Sequence, residues 1–121
     1  MLTIKNNIPR NIILLLLFCC SMCRDCLAQT VQQQLDSLIA ELPKAKHDTN
    51  KVLLLCQVSK WYFFTDPDKG RTYGRAALDL AMDIKYDQGI QQAYMNIGRC
   101  YAVQNYYNEA LSNFQLVQQL S

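Results

Sequence analysis

Residues 94–114, YMNIGRCYAVQNYYNEALSNF, decide the fold of this 121-residue chain. Their apolar positions recur at spacings of three and four, which is the periodicity of one face of an α-helix. Tyr94, Ile97 and Tyr101 share this face, and the small Gly98 beside them lets a neighbouring helix come close. After a short polar turn, a second apolar face follows at the same periodicity. The stretch therefore predicts two helices that close against each other as a hairpin.

The helical periodicity continues through the rest of the chain after residue 29, where no stretch alternates apolar and polar residues as a strand would. We therefore expect an all-α chain with five helices. The first carries one apolar stripe from Val31 to Leu42 and ends at Pro43. The other four are expected at about 50–64, 67–84, 90–104 and 107–120. The last helix should turn these residues inward: Ala110, Leu111, Phe114, Val117 and Leu120.

Several helix ends carry recognisable capping residues. Asp48 or Thr49 should cap the second helix, because a short side-chain oxygen accepts hydrogen bonds from the first free amides. Asp66 precedes Pro67, which fits the first position of a helix because its missing N–H has no partner to lose there. Asn105 is expected to end the fourth helix in a left-handed conformation.

The hairpin has an earlier copy about 40 residues upstream, within the range of known helical repeats. The large, apolar, small and aromatic positions of its first helix recur: Leu55, Val58, Ser59 and Tyr62 match Tyr94, Ile97, Gly98 and Tyr101. The second helices also match in size and apolarity: Gly70, Gly74, Ala77 and Leu80 correspond to Ala110, Phe114, Val117 and Leu120.

With this spacing the chain resembles the tetratricopeptide repeats, whose signature is W-x2-L-G-x2-Y followed by A-x3-F. The positions that carry the resemblance are Tyr62, Ala77, Tyr94, Ile97, Gly98, Tyr101, Ala110 and Phe114. Gly74 departs from the pattern, which has an aromatic residue there, and the period exceeds the family's usual 34 residues. The resemblance implies a right-handed superhelix of about two helical hairpins, 50–86 and 90–121, preceded by an N-terminal helix and linker at 29–49.

The first 28 residues have the pattern of an export signal. Lys5 and Arg10 form a short positive region, and residues 12–22 form an apolar run broken only by Ser21. The run is shorter than the roughly 20 residues that span a bilayer, but it suits the apolar core of a signal peptide. Cleavage after Ala28 would release a periplasmic or secreted protein. Acylation of a cysteine and an uncleaved membrane anchor are the alternatives.

Removal of this leader changes the composition of the chain. Four of the six cysteines and the whole net charge of +2 lie in the first 28 residues. The remainder is neutral, so no basic surface for nucleic acid is expected. The C-x-x-C spacings of the leader have no matching pair downstream, and we expect no metal site. Cys56 and Cys100 are expected to be buried thiols, with a disulfide between them as the alternative.

Sequence motifs for catalysis are missing from the chain. His47, the single histidine, lies in a polar linker. We find no phosphate-binding glycine loop and no nucleophile elbow. Trp61 is expected in the core, because the helix around it is apolar on almost every side. We therefore expect a binding protein that needs no cofactor, rather than an enzyme.

By resemblance, the first helix of each hairpin lines a concave groove that binds a protein or peptide. The groove positions would be Leu53, Cys56, Lys60, Phe63, Phe64, Gln92, Met95, Asn96, Arg99 and Ala102. The family's pattern for gripping a carboxylate is incomplete, because lysine is missing at the Cys56 position and asparagine at the Lys60 position. A solvated rim around an apolar groove is the alternative.

A narrower resemblance concerns the leader, DTNKVLLL at 48–55 and Thr65-Asp66-Pro67. Together they resemble the exported N-terminal repeat regions of bacterial sensor histidine kinases and helix-turn-helix regulators. This implies a sensory or interaction role in signalling, in a protein truncated here at its C-terminal end, with membrane attachment through an uncleaved leader or a missing C-terminal span. A free periplasmic or secreted adaptor that assembles envelope proteins is the alternative.

We predict that residues 29–121 alone are marginally stable or self-associate, because about three repeats are usually needed to bury the apolar faces of such hairpins. Analytical ultracentrifugation and a thermal melt followed by circular dichroism test this. A sharp two-state melt of a monomer above about 60 °C, within the upper range of mesophilic domains, would contradict it.

Overall fold

The structure, a computed structural model, describes residues 9–121, and within them the fold is all-α with no strand, which confirms the predicted class. Lys5, part of the predicted positive region, lies outside the described residues. The helices are α1 (Arg10–Glu41), α2 (Thr49–Tyr62), α3 (Pro67–Asp83), α4 (Asp87–Val103) and α5 (Tyr107–Leu120), with a 3-10 turn at Leu42–Lys44. The chain divides into two compact units, Met1–Gln33 and Gln34–Ser121.

The described part of the first unit is apolar helix. All side chains from Ile12 to Phe18 are largely exposed, and the helix is long and apolar enough to cross a membrane. Export signals near an N-terminus share this property. The helix continues through Ala28 and Gln29, the residues that flank the predicted cleavage position.

The predicted caps of the second unit are confirmed. The Asp48 carboxylate accepts hydrogen bonds from the amides of Asn50 and Lys51 at the start of α2. The Asp66 carboxylate accepts one from the Lys69 amide, and Pro67 opens α3. Side-chain acceptors at these positions satisfy amides that have no partner inside the helix.

The turn between α3 and α4 differs from the prediction. We expected a turn at residues 86–89, but α4 already begins at Asp87. Lys85 ends α3 with a left-handed backbone (φ 56°), and the Tyr86 amide donates to the Ala81 carbonyl over 2.8 Å. Asn105, as predicted, ends α4 with the same geometry (φ 65°). The sequence lacks the Gly or Asn that usually marks such a turn at Lys85.

The second unit is built from two antiparallel helical hairpins that stack on each other. α2 pairs with α3, α4 pairs with α5, and α4 also packs against α3 and α2. The Ser59 hydroxyl donates to the Gly70 carbonyl across the first hairpin (2.6 Å), and the Gln104 amide donates to Asp68 between the hairpins (3.1 Å). α2 and α4 lie side by side and run in the same direction.

The positions of the repeat signature occupy the interior or its edge. Ala77, Ile97, Gly98 and Ala110 are buried. The aromatic members are half-buried at the seams between helices: Tyr62, Tyr94, Tyr101 and Phe114. The Tyr62 ring stacks on that of Tyr73 with centroids 5.7 Å apart. The signature residues therefore act in helix packing.

Two glycines let the helices approach closely. A Cβ atom on Gly70 would lie 2.7 Å from the sulfur of Cys100 and 3.2 Å from the backbone oxygen of Ser59. A Cβ atom on Gly98 would lie 2.6 Å from the Phe114 ring. Any larger residue at either site must push the neighbouring helix away.

Three apolar side chains lie closer to solvent than predicted. Trp61 is exposed, because α3 and α4 cover only part of the apolar circumference of α2. Leu111 and Leu120 are also exposed, since they lie on flanks of α5 that α4 does not reach. Ala110 is buried as predicted, and Phe114 and Val117 are partly buried.

We predict that Gly70→Ala destabilises the full chain by about 1 kcal/mol or more. Overpacking a tight contact costs about 1–3 kcal/mol, which exceeds the advantage of about 1 kcal/mol that alanine has over glycine in a helix. Urea unfolding followed by circular dichroism measures the change. Thr72→Ala, on the exposed face of the same helix, is the matched control and should stay within about 0.5 kcal/mol of the parent. Equal stability of the Gly70→Ala variant and the parent would contradict the prediction.

Candidate functional site

A groove of about 550 Å³ lies within the second unit, between α2, α4 and the end of α5. The two parallel helices form most of it, and α5 adds one apolar side chain. The lining residues are Leu53, Cys56, Gln57, Lys60, Gln91, Gln92, Met95, Asn96, Arg99 and Val117.

Helical periodicity brings these residues to one surface. On α2 the spacing of Leu53, Gln57 and Lys60 keeps their side chains on one face of the helix. On α4 two neighbouring rows contribute, of which one contains Gln92 and Asn96. Because α2 and α4 run in the same direction, the two faces form the walls of a single groove.

Asn96 fixes the two walls relative to each other. Its side chain is buried, and its amide donates a 3.2 Å hydrogen bond to the backbone carbonyl of Cys56. A buried amide needs such a partner, because an unpaired polar group away from water costs free energy. The bond therefore favours one register of α4 along α2, and with it one arrangement of the lining residues.

The electrostatic character of the groove is set by two cations. Lys60 stands on the α2 wall and Arg99 on the α4 wall, and both side chains are exposed. The ten lining residues include no carboxylate. Three glutamines and Asn96 supply amide donors and acceptors, and the groove therefore suits a ligand with hydrogen-bonding groups and negative charge.

The Cys56 thiol lies in the floor of the groove but does not serve as a nucleophile. It is buried, and this burial raises its pKa to about 11 because the thiolate loses its hydration. Burial also raises the pKa of the Cys100 thiol, although the positive charge of Arg71 opposes the shift. The predicted burial of both thiols is confirmed.

The structure brings together five of the six residues that we singled out for the groove: Lys60, Gln92, Met95, Asn96 and Arg99. Leu53 and Cys56, at two further predicted positions, join them. Phe63 lies outside, because α2 ends at Tyr62 and the chain turns away. The Phe63 ring packs instead on Phe64, with centroids 4.1 Å apart. Phe64 and Ala102 also lie outside the lining.

Three lining residues escaped the sequence analysis: Gln57, Gln91 and Val117. The two glutamines follow the same periodicity as their neighbours, so a wider stripe on each helix would have included them. Val117 lies on the second helix of its hairpin, and only the way α5 packs on α4 turns it toward the groove.

The outer seam between α3 and α4 carries a second polar cluster. The Arg71 guanidinium lies over the Tyr101 ring, 4.6 Å from its centroid, and the Arg75 guanidinium donates to the Tyr101 hydroxyl over 2.8 Å. These contacts join the hairpins from the side, because each cation already has an aromatic or hydroxyl partner. Within residues 9–121, no three histidine, cysteine or acidic side chains converge as a metal site would require.

Comparison with protein-family models, with curated proteins and with solved structures finds no match for this chain. The interpretation of the groove therefore rests on its own geometry and on the sequence pattern.

We predict that the thiols react in two classes. At about pH 8 only about one in a thousand Cys56 side chains is a thiolate, because burial raises its pKa to about 11. The four exposed leader thiols should be alkylated much faster: Cys19, Cys20, Cys23 and Cys26. Timed alkylation of the reduced full chain, followed by peptide mass spectrometry, measures the rates. Denaturant should remove the difference, and alkylation of Cys56 as fast as Cys26 in the folded chain would contradict the prediction.

Proposed function

We propose that residues 50–121 form two tetratricopeptide-like hairpins that bind a segment of another protein in the groove between α2 and α4. The observation that carries the proposal is the groove itself, which the first helices of both hairpins build together. The parallel course of α2 and α4, about 40 residues apart, supports a repeat, as does the burial of signature positions such as Ala77 and Ala110. A right-handed superhelix is part of the proposal.

The chemistry of the groove supports a peptide as the ligand. The amides of Gln57 and Gln92 can pair with the N–H and C=O groups of an extended backbone. Leu53, Met95 and Val117 offer apolar contacts for its side chains. Pockets of about 300–1,000 Å³ commonly bind small ligands, and a groove of this size suits a few peptide residues. The function proposed is recognition, without catalysis or a cofactor.

The cellular setting proposed is outside the cytoplasm. The apolar N-terminal helix and its positive flank are compatible with an export leader. In this setting the hairpins serve as the sensory or interaction part of a bacterial signalling protein. A free periplasmic or secreted adaptor is the second candidate. An in-frame membrane span and effector domain encoded after Ser121 would favour the signalling role.

Site-specific photo-crosslinking in the producing cells tests the groove. A photoreactive amino acid at Met95, within the groove, should crosslink the full chain to a protein partner. The same amino acid at Asp79, exposed on α3 and outside the groove, is the control and should yield no such adduct. Adducts of equal yield at both positions would contradict the proposed site.

We predict that Lys60→Ala combined with Arg99→Ala weakens capture at Met95 about tenfold, because a hydrogen bond to a charged group contributes about 1.5–3 kcal/mol. Both side chains are exposed, so the helical content should not change. Lys44→Ala combined with Lys46→Ala removes two exposed cations outside the groove and serves as the matched control. Unchanged crosslinking in the groove variant would count against an acidic peptide segment as the ligand.

A further inference from the structure

The turns inside the two hairpins lie next to each other. The first turn joins α2 to α3 and the second joins α4 to α5. The Gln104 side chain, at the end of α4, donates a 3.1 Å hydrogen bond to Asp68 at the start of α3. The two turns therefore form one continuous edge of the second unit.

This edge exposes large aromatic side chains. Phe64 is 79% exposed and Trp61 37% exposed at the first turn. Tyr107 is 66% exposed and Tyr106 51% exposed at the second turn. We refer to these four residues as the aromatic edge. A soluble surface rarely groups so many large apolar side chains, and such groups generally mark an interaction site.

Local contacts hold the rings of the aromatic edge in place. The Tyr107 hydroxyl donates a 2.8 Å hydrogen bond to the Asn105 side chain. The Tyr106 ring meets that of Tyr101 edge to face, with centroids 6.3 Å apart. Phe64 packs on Phe63. Because the rings are already ordered, docking them costs less conformational entropy than docking free side chains would.

The charges around the first turn favour an anionic partner. The Asp66 carboxylate caps α3, and Asp68 is paired with Arg71 and Gln104. The ammonium groups of Lys60 and Lys69 remain exposed beside the aromatic rings. Glu109 on the second turn is one carboxylate set against these two cations.

We propose that the aromatic edge docks on the surface of a lipid bilayer, with its rings at the level of the phosphate headgroups. Tryptophan and tyrosine are enriched at this level of membranes, because one end of each ring is apolar and the other is polar. Lysines beside the rings match the lipid phosphates in charge. The leader of the same chain is a helix that export or anchoring would bring to a membrane. The edge lies outside the leader and persists if the leader is removed.

This docking leaves the groove accessible. The four aromatic residues are distinct from the ten that line the groove, although Lys60 borders both surfaces. A single weak anchor binds a membrane reversibly, whereas two anchors together hold a protein there. The aromatic edge would therefore hold the second unit against the bilayer while the groove engages its ligand.

Trp61 provides the test, because it is the only tryptophan of the chain. The full chain is reconstituted into vesicles of phosphatidylcholine and phosphatidylglycerol, with or without bromine on the acyl chains near the headgroups. We expect the Trp61 emission to shift to shorter wavelength and to be quenched about twofold or more by the brominated lipid, since bromine quenches only on close approach to a ring at this depth. Insertion of the leader alone would not bring this distant side chain into contact with lipid.

Phe64→Ser combined with Tyr107→Ser should abolish most of the quenching, because two of the four rings lose their apolar surface. Both sites are exposed, so circular dichroism should report an unchanged helical content. Leu111→Ser is the matched control, since Leu111 is 56% exposed on α5 but lies outside the aromatic edge, and quenching should persist. Emission unaffected by brominated lipid would overturn the proposal. Quenching that persists in the double variant, or blue-shifted Trp61 emission only on addition of a protein partner, would overturn it as well.

Discussion

The close contact of α3 with its two neighbours at Gly70 is the constraint on which the second unit depends. The Gly70 carbonyl accepts the buried Ser59 hydroxyl from α2, while its α-carbon faces the sulfur of Cys100 on α4. Both contacts need a residue without a side chain. They draw three helices together at one point, and dense packing of small residues spreads from there along α3 through Ala77 and Ala81.

This packing determines where the functional surface forms. Because α3 occupies one side of both α2 and α4, these two helices meet along their flanks and expose their remaining faces together. Asn96 then sets their register through its hydrogen bond to the Cys56 carbonyl. The groove is thus a consequence of the same contacts that stabilise the fold. The outer seam, where Arg71 and Arg75 engage Tyr101, closes the opposite side.

Much of this arrangement follows from local patterns. Periodicity located the helices, and short polar side chains located their first residues, as the capping by Asp48 and Asp66 illustrates. Periodicity also placed Lys60 and Arg99 on exposed faces that meet in the groove. The turn at Lys85 was missed, because a lysine in the left-handed conformation carries no signal of its own and is held there by the hydrogen bonds that end α3.

The sequence by itself determined the all-α class, the helix starts and the faces that α2 and α4 present, because these depend on residues three or four positions apart. Only the tertiary structure decided that Trp61 stays exposed, that Phe63 leaves the groove and that Val117 enters it. An apolar side chain is buried only if a neighbouring helix covers it. That coverage depends on how helices distant in sequence cross, which local spacing does not encode.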